Sequence, residues 1–158
     1  MCRKKEFMNI FVSGLWPTSD GNGLQAMMRD GDKYLLYTDD IFSVAKNLFS
    51  VRLIGHSFGG QACIDACSKL WALGKDVDDL ILLDPVPYWW WVFGKFKIPP
   101  NVKNAICYKK SFGLPPSCGI VTPGFQTITI DTWDHAGFPK EAEVTEAVME
   151  RLGYVTSG

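Results

Sequence analysis

The sequence predicts a three-layer α/β/α sandwich built on a mostly parallel, six-stranded sheet. Three observations carry that expectation. Short apolar runs alternate with segments of helical periodicity along the chain, the pattern of repeated strand-helix-strand units. Residues 80–83 are Leu-Ile-Leu-Leu, an unbroken apolar run that suits a strand covered on both faces. Residues 55–60, Gly-His-Ser-Phe-Gly-Gly, fall between an apolar run and an amphipathic one, where a strand must turn sharply into a helix. At 158 residues the chain is expected to form one domain, 1–158. A domain of that size buries about 70% of its unfolded surface and needs no covalent staple.

The elements follow in order. Residues 8–12 are the first strand. Ser19, Asp20, Gly21, Asn22 and Gly23 make a loop, and Leu24, Met27 and Met28 then mark one face of a short helix that Asp30-Gly31-Asp32 ends. Residues 33–37 are the second strand. Asp39 or Asp40 caps the next helix, whose Ile41, Val44, Ala45, Leu48 and Phe49 recur at helical spacing. Residues 51–54 are the third strand. The helix beyond residue 60 places Ala62, Cys63, Ala66, Cys67 and Leu70 on one face and stops near Gly74. Residues 80–83 form the fourth strand, closed by Asp84-Pro85, and a loop rich in Pro, Trp and Phe runs from 85 to 102. Residues 103–108 and 126–130 are the last two strands. A final helix starts around Pro139 and carries Val144, Ala147, Val148, Arg151 and Leu152.

Composition narrows the function classes. The chain is 47% hydrophobic and 21% charged, which excludes a disordered segment. Sixteen Lys and Arg against seventeen Asp and Glu leave a net charge of -1, with no basic stripe for a nucleic-acid backbone. No apolar run reaches the length of a membrane-spanning helix. The basic start at Arg3, Lys4 and Lys5 imitates a signal peptide, but Asn9 and Ser13 interrupt the apolar stretch and no small-residue cleavage site follows. Five Cys without a CxxC pair indicate neither a disulfide framework nor a zinc site, and Cys63 and Cys67 read as small core residues. A cytoplasmic protein without a metal or organic cofactor is the expectation.

Residues 55–59 match G-x-S-x-G. Three fixed positions at roughly 7% usage each would match by accident about 0.05 times in a chain this long. The spacing has a mechanical reason: the sharp turn strains Ser57, and Gly55 and Gly59 remove side chains that would collide across it. The helix N-terminus places the Phe58 N–H where negative charge develops on a substrate oxygen. A serine needs a base, and the chain has two His. His56 is adjacent to Ser57 and should point away from its hydroxyl, into a packing role. His135 follows the last strand, on the edge where loops at the carboxyl ends of a parallel sheet converge. For the acid, Asp84 ends a strand on that same edge. The span 102–130 contains no Asp or Glu. Asp131 and Asp134 remain rivals close to His135, although carboxylates so near in sequence usually cap local backbone.

These residues resemble the α/β-hydrolases of the lipase and esterase type. Residues 55–60 are similar to that family's GHSxGG elbow, and Leu82-Leu83-Asp84-Pro85-Val86 resembles the LDPA-type stretch of pancreatic-lipase-like enzymes. The resemblance implies Asp84 as the acid, His135 as the base, and oxyanion donors at the Leu15 and Phe58 N–H groups. It also implies a truncated form lacking the first two of eight strands and any cap domain. The 33–37 strand would then lie at one edge, beside 8–12 and then 51–54.

Residues 87–93 are Pro-Tyr-Trp-Trp-Trp-Val-Phe, and neither helical nor strand periodicity buries all of those rings. Trp89 and Trp90 lie next to the proposed acid, and Trp16 and Trp133 flank the other two loops. They either cover the shortened sheet, line an apolar or aromatic substrate pocket, or contact a lipid or sugar surface. The expected chemistry is cleavage of a small ester through an acyl-enzyme. Thioester cleavage, acyl transfer, and a catalytically silent binding scaffold are the alternatives. Peripheral membrane contact, and a monomer or a homodimer, are both compatible with the sequence.

Overall fold

In the computed structural model, residues 7–89, 95–116 and 118–154 are described. The strands are β1 (Phe7–Ser13), β2 (Lys33–Leu36), β3 (Ser50–His56), β4 (Val77–Leu83), β5 (Val102–Lys110) and β6 (Gln126–Ile130). The α-helices are α1 (Ile41–Ala45), α2 (Phe58–Ala72) and α3 (Ala142–Arg151). The sheet order is β2-β1-β3-β4-β5-β6, and each neighbouring pair is parallel. This is the order and the edge strand that the resemblance implied. All six carboxyl ends therefore lie along one rim of the sheet.

Period-two alternation divides the strand residues between two cores. Ile10, Val12, Leu53, Leu80, Leu82 and Cys107 face α1 and α2 and pack against Ala62, Cys63, Ala66, Cys67 and Leu70. Phe11, Ile54, Ile81, Leu83, Ile106 and Ile130 face the other way, onto Val144, Val148 and Leu152 of α3 and onto Leu24, Met27 and Phe138. Helices thus cover both faces of the sheet, and β3 and β4 are buried except at Arg52, Asp78 and Asp79, which are half-buried. That is why the run at 80–83 in β4 reads as continuous rather than alternating. No cap insertion interrupts the described residues, and the topology is that of a truncated α/β-hydrolase.

Three helical segments differ from expectation. The helix expected over 24–28 is reduced to 3-10 turns at Gly21–Gly23 and Gln25–Met27. There the Met27 and Met28 N–H groups donate to the Leu24 and Gln25 carbonyls, three residues back, at 3.1 and 3.2 Å, the tighter pairing of a 3-10 turn. The α1 helix stops at Ala45, short of Leu48 and Phe49. Asp40 caps it by accepting the Ser43 N–H at 3.0 Å, but Phe49 is 73% exposed, because the chain must turn there to enter β3. At the C-terminal end, Pro139 sits in a separate 3-10 turn, Phe138–Lys140, and an extended Glu141 separates it from α3.

The start of α2 lies tightly against the end of β1. A Cβ at Gly59 would lie 2.2 Å from the Val12 carbonyl oxygen, and one at Gly55 would lie 2.5 Å from the Gly59 carbonyl oxygen. Helix and sheet can meet this closely only through glycine, and that contact fixes the height of Ser57 above the sheet. Gly59→Ala should therefore cost about 3 kcal/mol of stability, as overpacking against rigid backbone does. Urea unfolding of the two proteins measures the difference.

Candidate active site

Ser57 occupies the turn between β3 and α2 with φ 59° and ψ -126°, a conformation that L-residues rarely adopt. The turn is pinned from both sides. The Ser57 N–H donates to the Leu83 carbonyl at 3.2 Å, and the Val86 and Gly60 N–H groups both donate to the Ser57 carbonyl, at 3.0 Å each. This holds the serine directly above the end of β4, where Asp84 begins the next loop. Asp84 is itself left-handed, with φ 41°, and its N–H donates to the Tyr108 carbonyl at 2.7 Å.

His135 completes the arrangement from the loop beyond β6. Its Nδ1 lies 2.5 Å from Asp84 Oδ2 and its Nε2 lies 2.9 Å from Ser57 Oγ. Because a carboxylate only accepts, Nδ1 carries the proton, which leaves the Nε2 lone pair to accept the Ser57 hydroxyl hydrogen. The imidazole is thus in the tautomer that a general base requires. The other carboxylates stand outside this chain of bonds. Asp134 accepts the Gly137 N–H at 2.9 Å, the local capping role, and Asp131 is exposed.

Burial alone would push the Asp84 carboxyl up. The His135 hydrogen bond, the Lys110 backbone N–H and the Lys110 charge outweigh it and hold Asp84 below the usual carboxylate range. Asp84 is accordingly ionised across the neutral range. Its side chain is wholly buried, whereas that of His135 is 18% exposed, so the site opens to solvent on the histidine side.

Two neighbours emerge that the sequence did not mark as part of the site. His56 is buried, as its packing role requires, and its Nε2–H donates to the His135 carbonyl at 2.8 Å. It therefore fastens the backbone of the base-bearing loop. Lys110, the last residue of β5, has its ammonium 3.1 Å from Asp84 Oδ2 and fully buried. A lysine at a strand end reads in sequence as a solvated charge, and only the absence of Asp and Glu from 102–130 hinted that its partner lay elsewhere.

Gly14 lies against the serine: a Cβ there would sit 2.8 Å from Ser57 Cβ and 3.0 Å from the Phe58 nitrogen. That contact brings the β1 loop, with Leu15 next in the chain, up to the head of α2. The Phe58 N–H is the first of its helix and so has no carbonyl four residues back within it. Trp16, Trp89 and Trp133 lie on loops at this rim, and they are 86%, 66% and 71% exposed. Trp90 lies outside the described residues. The Phe58 ring packs on Tyr37 and Tyr88, with centroids 5.5 and 5.6 Å away. Both tyrosines also line a cavity of about 400 Å3.

Among the described residues no cluster of His, Cys, Asp or Glu could hold a metal ion, and no helix is long and apolar enough to cross a membrane. Sheet order, the strained elbow and the Ser57-His135-Asp84 bonds are together those of a minimal α/β-hydrolase fold carrying a triad-like arrangement. The chain matches no protein-family model and no curated protein.

Burial, and then the charge of His135, lower the pKa of His56 to about 4. The unfolded chain binds this proton near pH 6.5, so folding is favoured above that value and loses support as pH falls from 6.5 to 4. The loss approaches about 3 kcal/mol at the acid end. His56→Gln, which retains a donor for the His135 carbonyl, should flatten this part of the stability profile. Chemical unfolding at a series of pH values checks it.

Proposed function

We propose that this chain is a serine hydrolase that cleaves carboxylic esters through an acyl-enzyme intermediate. The single observation that carries the reading is the pair of bonds at His135, 2.9 Å to Ser57 Oγ and 2.5 Å to Asp84 Oδ2. Ser57 Oγ attacks the ester carbonyl carbon while His135 Nε2 accepts its proton and Asp84 steadies the imidazolium. The Leu15 and Phe58 N–H groups receive the oxyanion. Collapse of the tetrahedral intermediate expels the alcohol, which takes the proton from His135 Nε2. Water then attacks the acyl-Ser57 carbonyl as His135 removes its proton, and Ser57 departs with that proton restored. This scheme draws on no cofactor.

The substrate in this reading is a small ester with an apolar or aromatic part. The Phe58, Tyr37 and Tyr88 rings and the exposed Trp16, Trp89 and Trp133 support it, and Trp90 is proposed as a further substrate contact from the sequence alone. Burial pushes the Tyr88 phenol up to about 12, so it remains a donor. Residues 1–158 act as a single domain, as a monomer or as a pair joined at a sheet edge. Four free buried cysteines, Cys63, Cys67, Cys107 and Cys118, support a reducing, cytoplasmic setting. A thioester or another acyl acceptor would use the same groups, and a silent binding scaffold would use none of them.

The decisive experiment is labelling with a fluorophosphonate followed by peptide mass analysis. Ser57 should carry the adduct, and S57A should carry none. A folded protein that takes no label is a binding scaffold and not a hydrolase. The acid is tested separately, by turnover of a short p-nitrophenyl ester. D84N should lose about two to four powers of ten in kcat, on the scale known for a triad acid. D134N should stay within about tenfold of the parent, because its carboxylate serves only the Gly137 turn. The reverse ranking would move the acid into the histidine loop.

A further inference from the structure

The reaction scheme gives the Lys110 ammonium no work, although it touches the acid directly. Its side chain has no exposed surface, and a buried ammonium persists only when it is well paired. It addresses Asp84 twice. Nζ lies 3.1 Å from Oδ2, and the residue's own backbone N–H donates to Oδ1 at 3.1 Å. Oδ2 is also the oxygen that takes the His135 Nδ1–H. The ammonium donates as well to the Pro115 carbonyl, which ties the loop after β5 to the same carboxylate.

We propose that Lys110 is a positioning residue of the Ser57-His135-Asp84 site: its two donors fix the plane of the Asp84 carboxylate, and its charge sets how strongly that carboxylate holds the imidazole proton. The inference deepens the hydrolase reading and rests on it. The carboxylate is shared between a permanent cation and one that forms only when His135 takes the serine proton. Sharing weakens the pull of Asp84 on the imidazole. Removing the ammonium at constant shape must therefore make the Asp84-His135 pair easier to protonate. It also frees the carboxylate to rotate away from Nδ1.

The neighbouring groups leave the Lys110 charge in control of this balance. From β3, His56 faces His135 with its ring centroid 5.2 Å away, but its pKa, lowered to about 4, leaves it uncharged at working pH. Burial pushes up the thiols of Cys107 on β5 and Cys118 in the connection that follows, so both stay protonated. At the head of α2 the facing group is the Ser57 hydroxyl. Asp134 stands on the histidine's own loop on the exposed side, and Lys109 is half-buried next to Lys110 in β5.

The test follows the acid-side midpoint of the Asp84-His135 pair in the full chain, by NMR of the imidazole nitrogens, for the parent, K110M and K110Q. Both variants should move that midpoint up by about one pH unit. The acid limb of fluorophosphonate inactivation should move with it, and the plateau rate should fall about tenfold as the carboxylate loses its fixed plane. A role in packing alone would lower the melting temperature and leave the midpoint in place, and that result overturns the proposal. The parent protein gives an arm that needs no variant. The Lys110 Nζ resonance should shift with the same midpoint as the pair, and a signal indifferent to it also overturns the proposal. If the parent takes no fluorophosphonate label, the hydrolase reading fails, while the NMR arms still decide the role of Lys110 toward the carboxylate.

Discussion

One buried negative charge organises this molecule. Asp84 lies at the end of the central strand β4 with no exposed surface, and a carboxylate there is tolerable only if donors replace its lost water. Three donors do so: the Lys110 backbone N–H, the Lys110 ammonium and the His135 Nδ1–H. They come from β5 and from the loop after β6. Satisfying one carboxylate therefore fixes the mutual positions of the last three strands at the catalytic rim. Chemistry and cohesion depend here on the same few hydrogen bonds.

Strain gathers at that rim as well. Among the described residues, the non-glycine positions with positive φ are Trp16, Asn22, Ser57 and Asp84. Trp16 lies in the loop after β1 that packs against Ser57 through Gly14, and Ser57 and Asp84 belong to the triad arrangement itself. Asn22 reaches across from the loop after β1 to donate to the Ala136 carbonyl at 2.7 Å, next to the base. Such conformations cost of order 1–3 kcal/mol each and survive only where surrounding packing over-determines them. The two-sided core beneath the rim supplies that packing.

The parts legible in the sequence were those written by short-range patterns. The continuous apolar run at 80–83 located β4, because burial on both faces leaves no room there for polar alternation. The elbow was legible because its glycines answer to backbone contacts that no other residue could accommodate. Asp84 and His135 followed from the rule that parallel strands present their carboxyl ends together. Lengths of marginal helices were not legible: the 24–28 segment pairs three residues back rather than four, and α1 ends where the chain must turn into β3. Lys110 was hidden for a different reason. A lysine signals solvent unless its partner is known, and that partner lies 26 residues away.

The base hangs from the outermost strand. β6 pairs only with β5, and of its five residues just Ile130 is buried. Local opening free energies are lowest at such margins, so a sheet edge detaches far more often than a central strand. His135 follows that margin on one side and is tied on the other by His56, through its own carbonyl, and by Asn22, through the Ala136 carbonyl. Synthesis from the N-terminus brings the same dependence, since the elbow emerges 78 residues before its partner. The serine stays dormant in the nascent chain until the final strand docks.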